Sequence, residues 1–337
     1  DSSPREVPGV SGIVAVAAGD THSLALGADG SVWAWGNGSG GQLGTGDSQD
    51  RASPTRLTGL PPAAGIAARG DNSAVVARDG TVWTWGAGTF FSTGNPNGGT
   101  GVPWQVPGVQ GIVEVAAGYL HMLARDNAGR VLAWGYGGQL GDGRQMDSAL
   151  PVSPVGLPRV QRIAAGGNLS MALTFQADVL GWGASNVGQL GELAALSNPV
   201  PVEIGSLGRV GSPSAGRDHG LALGPRGTGW SWGYNIDGQL GVATMTTAQR
   251  TMILLPSPNR IVSVQAGRVH SLALDTTGGV HAWGNSVSGQ LGDGQAGNSL
   301  TRLQPQRVNL GPGISAIAIA AGAEHSLALL TDGTVRA

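Results

Sequence analysis

Five histidines, His22, His121, His219, His270 and His325, recur at about fifty-residue intervals or multiples of them. Imidazole suits both metal ligation and acid–base work near neutral pH. Four carboxylates, Asp20, Asp71, Asp218 and Glu324, stand one or two residues before a histidine-like position and could serve as the carboxylates of a site at a channel mouth. Tyr119, Tyr136, Tyr234, Arg217 and Arg268 supply the residue types that dominate macromolecular hot spots. Each of these sets stands at a fixed point of an internal repeat, and the repeat decides between catalytic and structural readings.

An Ala-Ala-Gly-like element ends at Gly19, Gly70, Gly118, Gly166, Gly216, Gly267 and Gly322, one copy every 48 to 55 residues. About 15 residues after each of the first six comes Trp-Gly, at Trp35-Gly36, Trp85-Gly86, Trp134-Gly135, Trp182-Gly183, Trp232-Gly233 and Trp283-Gly284. A period of roughly 40–50 residues built of short alternating strands is the mark of a propeller blade. In the first copy, residues 13–19 taper to small side chains, as an innermost strand beside a central axis requires. His22 to Leu26 and Ser31 to Gly36 alternate as the second and third strands, joined by an Asp29-Gly30 turn. Pro54 to Leu57 reads as an outer strand, where proline is tolerated. A Gly-Gln-Leu-Gly turn lies between the last two at 41–44 and recurs at 138–141, 188–191, 238–241 and 289–292.

Four antiparallel strands put the loop after Ala-Ala-Gly and the loop after Trp-Gly on one face of the disc. The first loops carry Asp20, Asp71, Tyr119, Arg217, Asp218, Arg268 and Glu324, and the second carry Tyr136 and Tyr234. The second copy is aberrant: Gly88-Thr89-Phe90-Phe91-Ser92-Thr93-Gly94 replaces the Gly-Gln-Leu-Gly region. Phe90 and Phe91 form an apolar contact patch if exposed; packed down, at least one substitutes for the usual Leu. Equivalent histidines are spread around a ring, so they read as blade residues whose ring nitrogens bond within the blade. Ser73 and Leu169 stand in for two of them. His281 replaces a tryptophan of the first-copy pattern and reads as packing. Trp33/Trp35, Trp83/Trp85 and Trp230/Trp232 read as packing between blades. Gly36-x-Gly38-x-x-Gly41 fits a dinucleotide fingerprint in form only, since no helix pattern follows it.

The combination Ala-Ala-Gly-x-x-His-Ser-Leu-Ala-Leu, Asp-Gly, Val-x-x-Trp-Gly and Gly-Gln-Leu-Gly resembles the regulator of chromosome condensation repeat family along essentially the whole chain. The resemblance implies an all-β, seven-bladed propeller of four-stranded antiparallel blades. It does not imply one function, because the family includes an exchange factor, a plant photoreceptor and secreted bacterial inhibitors. The photoreceptor's Gly-Trp-Arg-His-Thr motif is absent, and copy lengths leave no room for a long exchange wedge. One domain over 1–337 is expected, with blades near 12–58, 60–107, 111–156, 160–205, 209–256, 260–309, and 313–337 joined with 1–8. The last copy stops at Val335-Arg336-Ala337, where Trp-Gly is due, and Pro4 to Gly9 matches the end of a copy. Ring closure is therefore expected between the N-terminal strand and C-terminal strands, in a blade that is incomplete or whose natural chain runs on.

Composition excludes several classes. Cysteine is absent, which removes disulfides and thiolate chemistry. Net charge is −2 with 12% charged residues, no footprint for nucleic acid or anionic membrane. No apolar run reaches a membrane-spanning length. All 19 basic residues are arginine, which with the Ala, Gly and Pro excess fits a GC-rich bacterial source, and a start at Asp1 fits a processed export signal or an excised domain. The sequence thus points to a monomeric, non-catalytic propeller, extracytoplasmic or secreted, with no cofactor or metal. Its expected partner is a protein, bound through the face bearing Asp20, Asp71, Phe90, Phe91, Tyr119, Tyr136, Arg217, Asp218, Tyr234, Arg268 and Glu324. Two alternatives stay open: an enzyme or carbohydrate binder using carboxylates at the channel mouth, and a structural module of a larger protein.

Overall fold

The computed structural model describes residues 2–191, 196–204, 210–244, 246–254 (backbone only), 260–295 and 301–337. Residue 1 and the expected blade limits at 205, 209 and 256 lie outside them. In blade 1, β1 (Ile13–Ala18), β2 (His22–Gly27), β3 (Val32–Gly36) and β4 (Arg51–Arg56) form one antiparallel sheet in chain order. Five more four-stranded sheets of the same order follow, then a three-stranded one, Ala316–Ala321, Ser326–Leu330 and Val335–Arg336. The N-terminal segment completes this seventh blade. Arg5 and Ala337 exchange backbone hydrogen bonds at 2.9 Å each way, and Val7 N donates to Val335 O at 2.9 Å. The N-terminal segment thereby covers the outer edge of the Val335–Arg336 strand.

The innermost strands line a central channel of about 340 Å³, walled by small side chains such as Ala17, Ala67, Ala116, Ala165 and Ala320. Only small residues fit where seven strands converge. Between blades, the core is built around the tryptophans of Trp-Gly. The indole of Trp85 donates to the Gln42 carbonyl of the preceding blade at 2.9 Å, and Trp182 to Gln139 O at 2.7 Å. Trp232 and Trp283 repeat this with Gln189 and Gln239, each at 2.9 Å. Gly-Gln-Leu-Gly is therefore a socket: its glutamine carbonyl receives the indole. Its last glycine lies under the ring, where a Cβ on Gly44 would fall 2.7 Å from Trp85 Nε1.

The histidines join blades rather than bonding within one, which corrects the sequence reading. His22 Nε2 meets Ser73 Oγ of the next blade at 2.8 Å, His121 meets Ser170 at 2.8 Å, and His219 meets Ser271 at 2.9 Å. His270–Ser326 and His325–Ser23 follow at 3.0 Å each. Ser73, Ser170 and Ser271 donate onward to the carbonyls of Gln42, Gln139 and Gln239 at 2.8–2.9 Å. A hydroxyl has one proton, so in these pairs the imidazole is assigned as the Nε2–H donor. Burial pushes the pKa of His22, His121, His219 and His270 down to about 3, so all four are neutral. Strand register also corrects the second copy: Asn72 pairs with Gly86 as His22 does with Gly36. Asn72, not Ser73, takes the histidine's place, and Arg69 takes the glycine's.

Candidate functional face

The loops after the first strand and after Trp-Gly do share a face, and they are tied together. Tyr136 N donates to Leu120 O, Tyr234 N to Asp218 O and Asn285 N to Val269 O, at 2.8–3.0 Å. The Gly of Trp-Gly makes this approach possible: a Cβ on Gly36, at φ +105°, would lie 2.5 Å from Thr21 O. Around the mouth a second set of bonds links neighbouring blades. Asp20 N donates to Gly70 O, Tyr119 N to Gly166 O, Arg217 N to Gly267 O and Arg268 N to Gly322 O, at 2.9–3.3 Å. Most of the singled-out charged and tyrosine side chains thus sit on a rim that the backbone holds fixed.

Arg69, which the sequence reading passed over, dominates the centre. It is 5% exposed and reaches across the channel from blade 2 to blade 6. There it donates to Ala266 O at 3.0 Å and Gly267 O at 3.2 Å. Its guanidinium carbon stands 5.3 Å from the centre of the Tyr119 ring. Burial raises the Asp20 carboxyl above its usual range, against the pull of Arg69. Burial likewise raises Asp218, with Arg217 opposing, and pushes Tyr119 up to about 12. The Tyr119 hydroxyl interacts with the Asp20 carboxyl and draws its pKa down against the rise from burial.

The remaining charges are paired: Arg217 Nε with Asp218 Oδ2 at 3.2 Å, and Arg268 Nη1 with Glu324 Oε1 at 3.7 Å. Asp71 is exposed and accepts a long bond from Gln42 Nε2 at 3.3 Å. Tyr234 is half-buried behind the Asp218 loop and adds no ring contact to the cluster among the described residues. No group of three or more potential metal ligands occurs among the described residues.

Phe90 and Phe91 are both exposed, at 44% and 36%, and neither replaces the blade's leucine. That place belongs to Thr93, because the preceding Ser92 carbonyl receives the Trp134 indole at 3.1 Å as the glutamine carbonyls do elsewhere. Both phenylalanines have left-handed backbone, φ +53° and +62°. Phe90 meets Tyr136 of blade 3 edge to face, 5.0 Å between ring centres. The face therefore has a charged centre and an aromatic sector on its rim.

The repeat pattern described as the regulator of chromosome condensation (RCC1) repeat matches residues 29–76, 128–173, 226–274 and 277–329. A second form of the same repeat matches 13–42, 112–139 and 261–290. The chain belongs to the RCC1 repeat family. It is 30% identical to the ultraviolet-B receptor UVR8 of Arabidopsis thaliana, across 96% of this chain and 76% of the receptor. Prp20p of Saccharomyces cerevisiae, described with its binding to Gsp1p and histones, superposes with TM-score 0.79. It is 25% identical, over 94% of this chain and 82% of that one. Human WBSCR16 shares the fold more closely, TM-score 0.87 at 22% identity, over 98% and 90% of the two chains. No helix among the described residues is long and apolar enough to cross a membrane.

Proposed function

We propose that this RCC1-repeat propeller is a non-catalytic interaction module that grips a protein partner on the face bearing Phe90, Phe91, Tyr136 and the Arg69 centre. The observation that carries this reading is the Phe90–Phe91 pair. Two bulky residues in left-handed backbone cost on the order of 1–3 kcal/mol each, yet here they present their rings to solvent. The Phe90–Tyr136 edge contact, worth about 0.5–1.5 kcal/mol, offsets part of that strain, and the apolar surface left in solvent gains its return on contact with another molecule. The charged centre fits the same role. Arg217 and Arg268 are half-exposed beside their carboxylate partners, the rim pairs that steer and orient association. Family members such as Prp20p are described as binding proteins, which supports the class of partner.

Pairing of Asp218 and Glu324 to arginines, and the crossing of the channel by Arg69, weigh against a carboxylate enzyme. A place outside the bacterial cytoplasm is part of this proposal, with which the absence of cysteine is consistent, and fractionation of the source organism tests it. The binding reading is tested by affinity purification from that organism with two folded variants, Phe90→Ser/Phe91→Ser and Tyr119→Ala/Arg217→Ala/Arg268→Ala. A protein retained by the parent and lost from both is the expected result. Equal retention by both variants would sink the face assignment.

A further inference from the structure

The central channel is a shaft barred at one end. Arg69 closes the innermost strand of blade 2, Ala63–Arg69, and crosses to the Ala266 and Gly267 carbonyls of blade 6. The cavity of about 340 Å³ runs from this bar along the innermost strands, and none of the loop-face side chains Asp20, Tyr119, Arg217 and Arg268 lines it. Its far mouth opens on the face of the Asp-Gly turns, where Glu114 and Arg162 stand in the wall.

Charge along this wall is one-sided. Arg69, Arg162 and Glu114 are the ionisable residues of the described lining. Glu114 is taken by Arg125, whose Nε lies 2.7 Å from Oε2. Arg162 is exposed and donates to its neighbour's carbonyl, Gln161 O, at 3.4 Å. Neither Arg162 nor Arg69 forms an ion pair among the described residues. Asp20 and Asp218 act on Arg69 at a distance from the loop face, and burial draws both toward their neutral forms. A buried guanidinium without a partner charge is costly, and an anion in the adjoining cavity relieves that cost.

The donors suit an oxyanion. Of the five N–H groups of a guanidinium, Arg69 gives one from Nη1 and one from Nη2 to the blade 6 carbonyls. Its Nε is buried with no hydrogen-bond partner among the described residues. Nε–H and the Nη2 proton beside it make the parallel fork that two carboxylate oxygens match. In each sheet the innermost strand is an edge, so its inward N–H groups offer further donors. Ser214 and Gln265 add polar side chains on the side that Arg69 reaches.

We propose that the channel binds a small free carboxylate anion, which enters by the mouth beside Arg162 and sets its two oxygens on the Nε–Nη2 edge of Arg69. Two parallel donors favour a carboxylate over a halide. One guanidinium between neutral walls favours a single negative charge over the two of a phosphate. Depth decides that the anion is free and not a side chain of a partner. Arg162 holds the register position of Gly65, four residues before Arg69. At strand rise the fork lies roughly 13 Å below the mouth, farther than an aspartate or glutamate side chain extends.

The test is acetate titrated into the 15N-labelled chain at constant ionic strength, read at the Arg69 Nε–H resonance, which Arg69→Lys identifies by its loss. The resonance is expected to move and saturate, with chloride and phosphate each about tenfold or more weaker, the scale of one charge-assisted hydrogen bond. By calorimetry, Arg69→Lys, which keeps the charge without the fork, should lose about tenfold in acetate affinity. Ala165→Leu fills the shaft beside an intact Arg69 and should abolish the shift, which decides the question if Arg69→Lys fails to fold. Phe90→Ser/Phe91→Ser on the loop face should bind acetate as the parent does, so this site and the partner-binding face fail separately. A resonance that acetate does not move saturably, or acetate binding no tighter than chloride or phosphate, overturns the proposal. Full acetate affinity in folded Arg69→Lys or Ala165→Leu overturns it as well.

Discussion

Asn72 sits where five other blades carry a histidine ring, and Arg69 leaves the backbone at the glycine position that such a ring would block. In blade 1 a Cβ on Gly19 would lie 2.2 Å from His22 Cε1, and Gly118 and His121 repeat that distance. The shorter asparagine clears this space, turns its amide to Tyr119 O at 2.8 Å, and lets a side chain grow into the channel. Two departures from the repeat are thus one structural change.

Coupling between the two positions follows. Asn72→His alone should force a ring against the Arg69 stem and cost about 2–3 kcal/mol, the scale of an overpacked core. Arg69→Gly alone gives up the bonds to Ala266 O and Gly267 O. The double variant should recover part of the loss, with a coupling of about 1–2 kcal/mol by urea denaturation. Strict additivity would show that the two sites are unrelated.

Much of this was legible in the repeat, and the misses have a physical cause. Strand order, the Asp-Gly turns, the shared loop face and ring closure all follow from periods and parity, which the backbone enforces locally. The between-blade bonds do not, because period two fixes which way a residue points and not which neighbour it meets. The signal was nevertheless present as covariation between successive copies. Serine follows the histidine position in the next blade at Ser73, Ser170, Ser271, Ser326 and Ser23, each opposite a histidine. Asn72 and Leu169 break the histidine series, and the next blades carry Met122 and Gly220 at the serine's register instead. Arg69 was hidden by aligning on Gly70 rather than on Ser73, a shift of one residue.

The Phe91 backbone supplies a second test. At φ +62° and 36% exposure, this residue is strained and only partly packed. Glycine accepts that conformation freely, so Phe91→Gly should hold or raise stability, by up to about 1 kcal/mol after its greater unfolded-state entropy is counted. The same change should weaken partner capture. A variant that is both less stable and fully competent to bind would contradict the reading of this pair as stored strain on a contact surface.

The loop face depends on the glycine of Trp-Gly. Gly36→Ala would set a methyl group 2.5 Å from Thr21 O in backbone that alanine disfavours. The two loops must then part, at a cost of about 2–4 kcal/mol in thermal or urea unfolding. Gly65→Ala, where the nearest atom to the new Cβ is Val76 Cβ at 3.9 Å, is the matched control and should cost far less.

Acid stability is the sharpest consequence of the neutral histidine ring. His22, His121, His219 and His270 titrate near 3 in the folded chain, through burial above all, against an ordinary value of 6.5. Between those limits the unfolded chain binds protons that the folded chain refuses, so protonation favours unfolding. Stability from this source is complete above about pH 6.5 and is lost progressively as pH falls toward 3. Each histidine shifts the unfolding equilibrium by up to about tenfold per pH unit across that window. Urea midpoints should therefore fall steeply between pH 6.5 and 4. Replacing one junction with the pair that blade 4 and blade 5 already use, His121→Leu with Ser170→Gly, should remove one proton's worth of that slope. A flat profile in the parent, or an unchanged slope in the double variant, would mean that these imidazoles take up protons without unfolding the ring.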